Sequence, residues 1–367
     1  MPVQWQRVLR GVSSAADTWV SRRLDRPPRS LLVLHLMVTD KCNLRCPMCG
    51  ACNYEPGDHN MLATEEWKEV IRSAANLRTA IISITGGEVL LREDVFELVG
   101  CARNHGIAVH LNTNGTLLNE ENVDKLRGNP PDTLSVSLEG VDPSVHDRIR
   151  GSGTFERTVT GIRRVRERAP TVSVSVNFLI TRTNFRSMAD MVPFAEDLGV
   201  QQIKFMPIHS NLLHRDKPLE EYWEFVFRRE DLDELAAEVD RLQAALSASG
   251  LQTSSKYFFR GIRRLYEEPP GRFYCYAGYA TCTVDPRGFV APCFDKQGTL
   301  SVRERPLEAI WRSPEFQKLR HQVRTCREAC WDTTNTEISL RFDLRTMIGD
   351  IRQIIRDVRF YLGDARQ

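Results

Sequence analysis

The 367-residue sequence has no apolar run near the roughly 20 residues that a membrane-spanning helix needs. Its amino terminus lacks the apolar core and the cleavage site of a signal peptide. It also lacks an excess of either charge, since 50 lysines and arginines stand against 48 aspartates and glutamates. A balanced charge gives no general attraction for a polyanion. These absences predict a cytoplasmic protein with no nucleic-acid partner.

The cysteines are concentrated in two short segments of the chain. Four of the ten cysteines lie between positions 42 and 52, and five lie between 275 and 330. In a chain that is not secreted, cysteines favour metal ligands or reactive thiols over a disulfide framework. The grouping therefore predicts two metal-binding regions.

The first group places three thiols, Cys42, Cys46 and Cys49, on one loop directly after an apolar run. A four-iron cluster held by three cysteines keeps one iron open to another ligand. The alternatives are a zinc knuckle or a ferredoxin-like electron carrier, with Cys52 as the fourth ligand. Both fit less well, because zinc sites rarely place four cysteines within eleven residues and bacterial ferredoxins use a different spacing.

Short apolar runs alternate with helical patterns from position 31 to about 208, which is typical of βα units on a parallel sheet. The runs cover 31–37, 80–84, 107–111, 133–138, 172–180 and 202–206. Six units predict an α/β fold, a partial (β/α)6 TIM-like barrel. Each run ends in polar or glycine-rich residues, and the carboxyl ends of barrel strands carry the chemistry in such folds. These segments are predicted to meet at one active site.

The C-x-x-x-C-x-x-C loop is followed, after the second predicted strand, by Gly86, Gly87 and Glu88. Together these motifs resemble the cluster loop and the G-G-E motif of the radical S-adenosylmethionine (SAM) superfamily. The resemblance implies a 4Fe-4S cluster whose open iron chelates the amino and carboxylate groups of SAM. An electron from the cluster would split the sulfonium to a 5'-deoxyadenosyl radical, with a reducing partner such as flavodoxin or ferredoxin. The backbone of the two glycines and the carboxylate of Glu88 would hold the SAM amino group.

Further candidates follow the same resemblance. Ser137 and Arg150 lie in a segment similar to the family's S-x-D-G strand end, which implies that they contact the ribose or the carboxylate of SAM. Glu139 stands where aspartate is common, so its contact is left open. Asn177 and Met206 are candidates for the sugar and adenine faces of SAM, with core packing as the alternative for Met206.

The second group of cysteines resembles the shortened SPASM domain called a twitch domain, which binds one auxiliary 4Fe-4S cluster. The resemblance implies four ligands, Cys275, Cys293, Cys326 and Cys330. Residues 284–290 predict a hairpin that places the first two at the ends of paired strands. A zinc site of four cysteines is the alternative.

Three cysteines remain outside both sets, Cys52, Cys101 and Cys282. Cys101 falls in a predicted helix and is expected to pack in the core. Cys282 precedes the hairpin, which is expected to face the barrel mouth. It is therefore a candidate catalytic residue that returns a hydrogen atom to a substrate radical, or a spare cluster ligand.

The predicted organisation has five parts. These are an amphipathic helix at 1–30, the barrel at 31–210, a helical linker region at 211–271, the twitch domain at 272–335 and a second amphipathic helix at 336–367. The resemblance implies an oxidoreductase or isomerase that abstracts hydrogen from a small-molecule or carbohydrate-like substrate, with dehydrogenation or epimerisation as the outcome. Modification of a peptide and action on a lipid-linked substrate are alternatives. A non-catalytic iron-sulfur redox protein is disfavoured by the G-G-E motif.

Both ends of the chain carry apolar stripes at helical spacing, flanked by arginines. The stripes are Trp5, Val8, Leu9, Val12, Ala16, Trp19 and Val20, and Leu344, Met347, Ile348, Ile351, Ile354, Ile355, Val358 and Leu362. Basic amphipathic helices can lie in a membrane interface. Peripheral membrane contact is therefore one expectation, and packing against the rest of the protein is the other.

Overall fold

The computed structural model describes residues 3–50, 60–208, 219–267 and 272–350. Its strands are β1 (Val33–Met37), β2 (Ile81–Thr85), β3 (Ala108–Thr113), β4 (Thr133–Ser137), β5 (Ser173–Ile180), β6 (Gln202–Pro207), β7 (Thr281–Val284), β8 (Phe289–Ala291) and β9 (Leu300–Ser301). They form one sheet in the order β6-β5-β4-β3-β2-β1-β7-β8-β9. Strands β1 to β6 are parallel neighbours, as the six apolar runs predict. The barrel stays open because β6 and β9 are the two ends of this order.

The helices in the described residues are α1 (Val3–Leu24), α2 (Thr64–Asn76), α3 (Val95–Asn104), α4 (Glu120–Gly128), α5 (Pro143–Arg150), α6 (Thr154–Arg168), α7 (Met191–Asp197), α8 (Leu232–Ala248), α9 (Lys256–Gly261), α10 (Leu307–Arg312), α11 (Pro314–Arg324), α12 (Asn335–Leu340) and α13 (Leu344–Gly349). Helix α2 illustrates why they form. Trp67, Val70, Ile71 and Ala74 recur at helical spacing and are buried on one face. The Glu66 carboxylate accepts a hydrogen bond from the Ala63 backbone N–H at 2.8 Å, which satisfies a donor at the amino end of the helix.

Polar and apolar residues alternate along the barrel strands. In β1, Leu34 and Leu36 are fully buried in the main hydrophobic core, while His35 between them lines the lumen. In β5, Val174, Val176 and Phe178 likewise belong to that core. Because successive side chains point to opposite faces of a sheet, the apolar set covers the outer face and the polar set faces inward. The lumen is consequently polar.

The cysteine-bearing tail extends the barrel sheet. Strand β7 pairs in parallel with β1, with Leu34 opposite Cys282, and β8 and β9 follow as antiparallel neighbours. The predicted hairpin is present between β7 and β8, and its turn lies beside the cluster loop. There the Arg287 guanidinium is 3.6 Å from the Asp40 carboxylate, and the Leu62 backbone N–H donates to the Pro286 carbonyl at 2.8 Å.

The carboxyl-terminal half of α1 packs against the protein. Ala15 and Trp19 contact a small apolar cluster that contains Tyr276, Tyr279 and Phe342. In this half of the helix, the first amphipathic stripe therefore packs against the rest of the protein, which is the second of the two expectations for it. The described side chains of α1 begin at position 11 and omit position 12, so Trp5, Val8, Leu9 and Val12 lie outside them.

The second stripe is described only as far as position 350. Within it Leu344 and Ile348 of α13 are exposed, and the stripe from Ile351 to Leu362 lies outside the described residues. No helix among the residues that the structure describes is long and apolar enough to cross a membrane. Peripheral membrane contact stays a prediction.

Candidate functional site

The two cysteine sets lie toward opposite edges of the sheet. The loop that carries Cys42, Cys46 and Cys49 follows β1 and therefore lies at the carboxyl edge of the parallel strands. Cys275 precedes β7, which is parallel to β1, and Cys293 follows the antiparallel β8, so both lie toward the amino edge. A strand rises about 3.3 Å per residue, so the five residues of β1 separate the two edges by roughly 15 Å. The polar lumen lies between them.

The three thiols of the cluster loop are close enough for their charges to interact. Cys46 is buried, and Cys42 and Cys49 are half-buried. The Cys49 backbone N–H donates to the Cys46 carbonyl at 3.1 Å, and the Leu44 N–H donates to the Cys42 sulfur at 3.4 Å. Burial raises the pKa of the Cys42 and Cys46 thiols. Three thiols on one loop fit an iron-sulfur cluster that keeps one iron open.

The loop of Gly86 and Gly87 lies directly against the start of the cluster loop. The Gly87 N–H donates to the Thr39 carbonyl at 2.8 Å, and the Glu88 N–H donates to the Lys41 carbonyl at 2.8 Å. Gly86 has a φ of 150°, and a Cβ there would lie 2.3 Å from the Thr39 carbonyl oxygen. A Cβ on Gly87 would lie 2.2 Å from the Lys41 carbonyl oxygen. The glycines are needed so that the two loops can approach each other.

We expect Gly87→Ala to push the two loops apart, since the atom that the new methyl group meets is backbone. The variant should lose SAM affinity by tenfold or more while keeping its auxiliary cluster. Equilibrium binding of SAM and the iron content of the reconstituted variant measure the two effects. Gly128→Ala is the matched control, because Gly128, like Gly87, lacks a positive φ, and a Cβ there would meet no heavy atom within 4 Å. Equal SAM affinity in wild type and Gly87→Ala would contradict the proposed need for close approach.

The Glu88 carboxylate has a structural role. It is fully buried and accepts hydrogen bonds from the Leu90 N–H at 3.0 Å, the Thr113 hydroxyl at 2.6 Å and the Asn114 N–H at 2.7 Å. The Asn114 side chain in turn donates to the Asn43 side chain of the cluster loop at 2.9 Å. Three donors of the chain itself contact this carboxylate, and it positions the cluster loop through Asn114. The expectation that it also holds the SAM amino group stays a prediction.

Arg150 and Glu139 form a buried ion pair beside the cluster loop. The Arg150 Nε is 2.9 Å from the Glu139 carboxylate, which is fully buried and also accepts from the Leu179 N–H at 2.6 Å. The Cys46 thiol lies 3.8 Å from the Arg150 carbonyl oxygen. Burial raises the pKa of Cys46, and the positive charge of Arg150 opposes that rise. The contact that was left open for Glu139 is therefore its ion pair with Arg150.

The remaining SAM candidates face the lumen near its carboxyl edge. Ser137 and Asn177 are opposite each other in the register of β4 and β5, and Met206 is opposite Leu179 in β5 and β6. Asn177 lines a cavity of about 330 Å³ that fills the lumen below. The structure thus brings Ser137, Asn177 and Met206 to one end of the lumen. Their contacts with SAM stay predictions.

The second cysteine set surrounds one cavity. Cys275, Cys293, Cys326 and Cys330 all line a space of about 190 Å³. Burial raises the pKa of Cys275 and of Cys293 to about 12. Cysteine must be deprotonated to bind metal, so assembly of a cluster releases protons. Four cysteines that line one cavity supply the thiolate ligands that an auxiliary iron-sulfur cluster requires.

Arg22 is a residue of this second site that the sequence interpretation missed. It comes from α1, is buried, and donates from Nε to the Cys275 carbonyl at 3.0 Å. Its guanidinium lies 4.1 Å from the centre of the Tyr274 ring. Arg22 precedes Cys275 by 253 residues, and the helix pattern marked it only as a flanking charge. Only its contact with Cys275 in the folded protein identifies Arg22 as a residue of the second site.

Cys282 does not lie where the hairpin suggested. It is fully buried within β7 and shares its face with Leu34, which is the outer face of the sheet. The lumen face of β7 carries its neighbours Thr281 and Thr283, opposite Val33 and His35. The expectation that this thiol faces the barrel mouth is wrong, because the pleat of the strand turns it away, and a hydrogen-donor role has no geometric support. Cys101 packs half-buried against the core, and Cys52 lies outside the described residues.

Comparison with known families gives two matches. A model of the radical SAM superfamily matches residues 36–194, and a model of an iron-sulfur cluster-binding domain, SPASM, matches residues 275–332. The AdoMet-dependent heme synthase of Methanosarcina barkeri is 30% identical over 313 residues, covering 77% of this chain and 83% of that protein. A probable GTP 3',8-cyclase of Methanocaldococcus jannaschii is 26% identical over 284 residues, covering 75% and 89%.

Solved structures share the fold at lower identity. SuiB of Streptococcus suis bound to S-adenosylmethionine gives a TM-score of 0.66 with 18% identity, over 83% of this chain and 70% of that one. The protein anSMEcpe with bound AdoMet and the Cp18Cys peptide gives 0.60 with 16% identity, over 91% and 99%.

Proposed function

Because this chain belongs to the radical SAM superfamily and carries a SPASM domain, we propose that it cleaves SAM reductively and abstracts hydrogen from a small polar molecule. The observation that carries the proposal is the position of the three-cysteine loop at the carboxyl edge of the barrel, above a polar cavity of about 330 Å³. Pockets for small ligands begin at about this size. Dehydrogenation and epimerisation are the proposed outcomes.

When bound, the 4Fe-4S cluster supplies the electron that cleaves the sulfonium of SAM. The residues of the chain itself hold the cluster and orient the groups around it. Cys42, Cys46 and Cys49 would hold the cluster, and Glu88 fixes their loop through Asn114. Arg150 places a positive charge beside the thiols and is itself fixed by Glu139. Fixed charges that need no rearrangement during a reaction stabilise developing charge effectively.

A small-molecule substrate agrees with the names of two relatives, AdoMet-dependent heme synthase and probable GTP 3',8-cyclase. Modification of a peptide is the second candidate. It draws on the likeness in fold to SuiB bound to the precursor peptide SuiA. At 18% identity that likeness concerns the fold alone.

The proposal is tested on the full chain reconstituted anaerobically with iron and sulfide. About eight irons per chain are expected, four per cluster. Reduction in the presence of SAM should then yield 5'-deoxyadenosine. A content of one zinc and four irons would contradict the assignment of an auxiliary iron-sulfur cluster. Absence of 5'-deoxyadenosine at full iron content would overturn the proposed cleavage of SAM. Uptake of deuterium from heavy water into candidate substrates separates epimerisation, which requires uptake, from dehydrogenation.

A further inference from the structure

The cavity that the four auxiliary cysteines line contains one deeply buried charged side chain, that of Arg22. The charged residues of this lining are Arg22, Arg272, Asp295, Lys296, Arg324 and Glu328. Arg22 has an exposed fraction of 3%, whereas the other five are half-buried or exposed. Water and salt screen exposed charges strongly and buried charges much less. Within this lining, Arg22 therefore exerts the least screened charge on the contents of the cavity.

The guanidinium of Arg22 contacts uncharged groups. Its Nε donates to the Cys275 carbonyl at 3.0 Å, and its central carbon lies 4.1 Å from the centre of the Tyr274 ring. Arg22 forms no ion pair with an aspartate or glutamate in the described part of the chain, and the Asp25 carboxylate of the same segment lies 3.1 Å from Arg324 instead. A buried charge without an anionic partner is costly. An anion in the cavity would offset this cost.

The four cysteines of the lining can supply that anion. They bind metal as thiolates, and a 4Fe-4S cluster on four thiolates is negative in both of its common oxidation states. Reduction adds one further negative charge. Burial raises the pKa of Cys275 to about 12, and the charge of Arg22 opposes that rise. Arg22 thus already favours negative charge at one of the four ligands.

Asp332 is an opposing charge beside the same cysteines. It adds to the effect of burial in raising the pKa of Cys275 and Cys330. Its carboxylate is buried and accepts hydrogen bonds from the backbone N–H groups of Thr334 at 2.8 Å and Thr336 at 3.3 Å. A buried negative charge disfavours the gain of an electron nearby, so the positive charge of Arg22 compensates for Asp332.

We infer that Arg22 raises the reduction potential of the auxiliary cluster, because its buried charge stabilises the reduced and more negative state. The net charge around an iron-sulfur cluster is one of the factors that set its potential. Arg22 lies in α1, outside residues 36–194 and 275–332 that match the two family models. The amino-terminal helix therefore tunes a site that belongs to the SPASM domain. The inference rests on the auxiliary cluster of the proposed function and not on the cleavage of SAM.

The test is a redox titration of the reconstituted holoenzyme with dithionite, followed by electron paramagnetic resonance. Dithionite is oxidised and each cluster gains one electron, and the signal that changes on addition of SAM identifies the SAM-binding cluster. Arg22→Gln removes the charge but keeps an N–H donor for the Cys275 carbonyl. It should lower the equilibrium constant for reduction of the auxiliary cluster at least tenfold, which is about 59 mV for one electron. Arg22→Lys keeps the charge and should stay within threefold of wild type.

Arg23→Gln is the matched control. Arg23 is the next residue of α1, is exposed, and donates to the Tyr276 hydroxyl at 3.3 Å. The variant therefore loses a contact of the helix but no buried charge, and its equilibrium constant should stay within twofold of wild type. The SAM-binding cluster should also stay within twofold in all three variants, because its ligands lie at the opposite edge of the sheet.

An unchanged auxiliary potential in Arg22→Gln would overturn the inference. An equal shift in Arg23→Gln would also overturn it, because the cause would then be a loosened helix. If Arg22→Gln does not hold the auxiliary irons, Arg22→Lys decides: the wild-type potential supports the inference, and a tenfold lower constant overturns it. Zinc in place of the auxiliary irons would overturn both the cluster and the inference. A failure to form 5'-deoxyadenosine leaves the titration readable, because the titration needs no cleavage of SAM.

Discussion

Replacing Cys42, Cys46 and Cys49 together by alanine is expected to abolish 5'-deoxyadenosine formation and to halve the bound iron. The reason is the separation of the two cysteine sets at opposite edges of the sheet, which leaves the auxiliary ligands intact in the variant. About four of eight irons should remain. Iron analysis and chromatography of the quenched reaction give the two values.

The reciprocal variant supplies the control. Cys293→Ala with Cys330→Ala should also lose about four irons, but it should retain substrate-independent cleavage of SAM. Cys101→Ala should keep all of the iron, since Cys101 packs in α3 away from both sets. Loss of all iron in the triple variant would contradict the independence of the two sites.

Arg150→Met is expected to lower the free energy of unfolding by about 3–5 kcal/mol, because it leaves the buried Glu139 carboxylate without its partner. Urea unfolding of the anaerobic protein measures the loss. Arg148→Met is the matched control on the same helix, and it should change stability little, since the Arg148 and Glu224 side chains of that ion pair are exposed.

The loss in Arg150→Met should depend on pH. Burial raises the pKa of Glu139 even with Arg150 present, and the variant removes the opposing charge. A carboxyl group with a raised pKa in the folded state binds protons more readily there than in the unfolded state, so its protonation favours folding. The destabilisation should therefore be largest above pH 7 and should shrink as pH falls toward the ordinary carboxyl pKa. A loss that is constant from pH 5 to pH 8 would contradict an uncompensated charge at Glu139.

The sequence predicts the six barrel strands because their apolar runs are bounded by polar and glycine-rich segments, and all six are confirmed. Membership in the superfamily, the SAM-binding cluster and the auxiliary cluster are confirmed as well. These features depend on local pattern and on the spacing of cysteines. Local pattern and cysteine spacing can both be recognised in the amino-acid sequence without knowledge of the fold.

Features that depend on register and on distant contacts were not predicted. The side of β7 on which Cys282 lies follows from the pleat, and a shift of one residue would reverse it. The role of Glu88 depends on donors 25 and 26 residues away. Lys204 sits in a run that reads as an ordinary strand, and its place in the lumen depends on its opposition to Asn177.

The pairing of β7 with β1 also has a consequence for how the protein is made. The ribosome produces β1 about 245 residues before β7, so one edge of β1 stays without hydrogen-bond partners through most of synthesis. Contacts between residues so far apart in sequence slow folding, and open strand edges favour association between chains. Nascent chains should therefore depend on chaperones until β7 has been made and pairs with β1, and truncated chains that end before β7 should depend on them throughout.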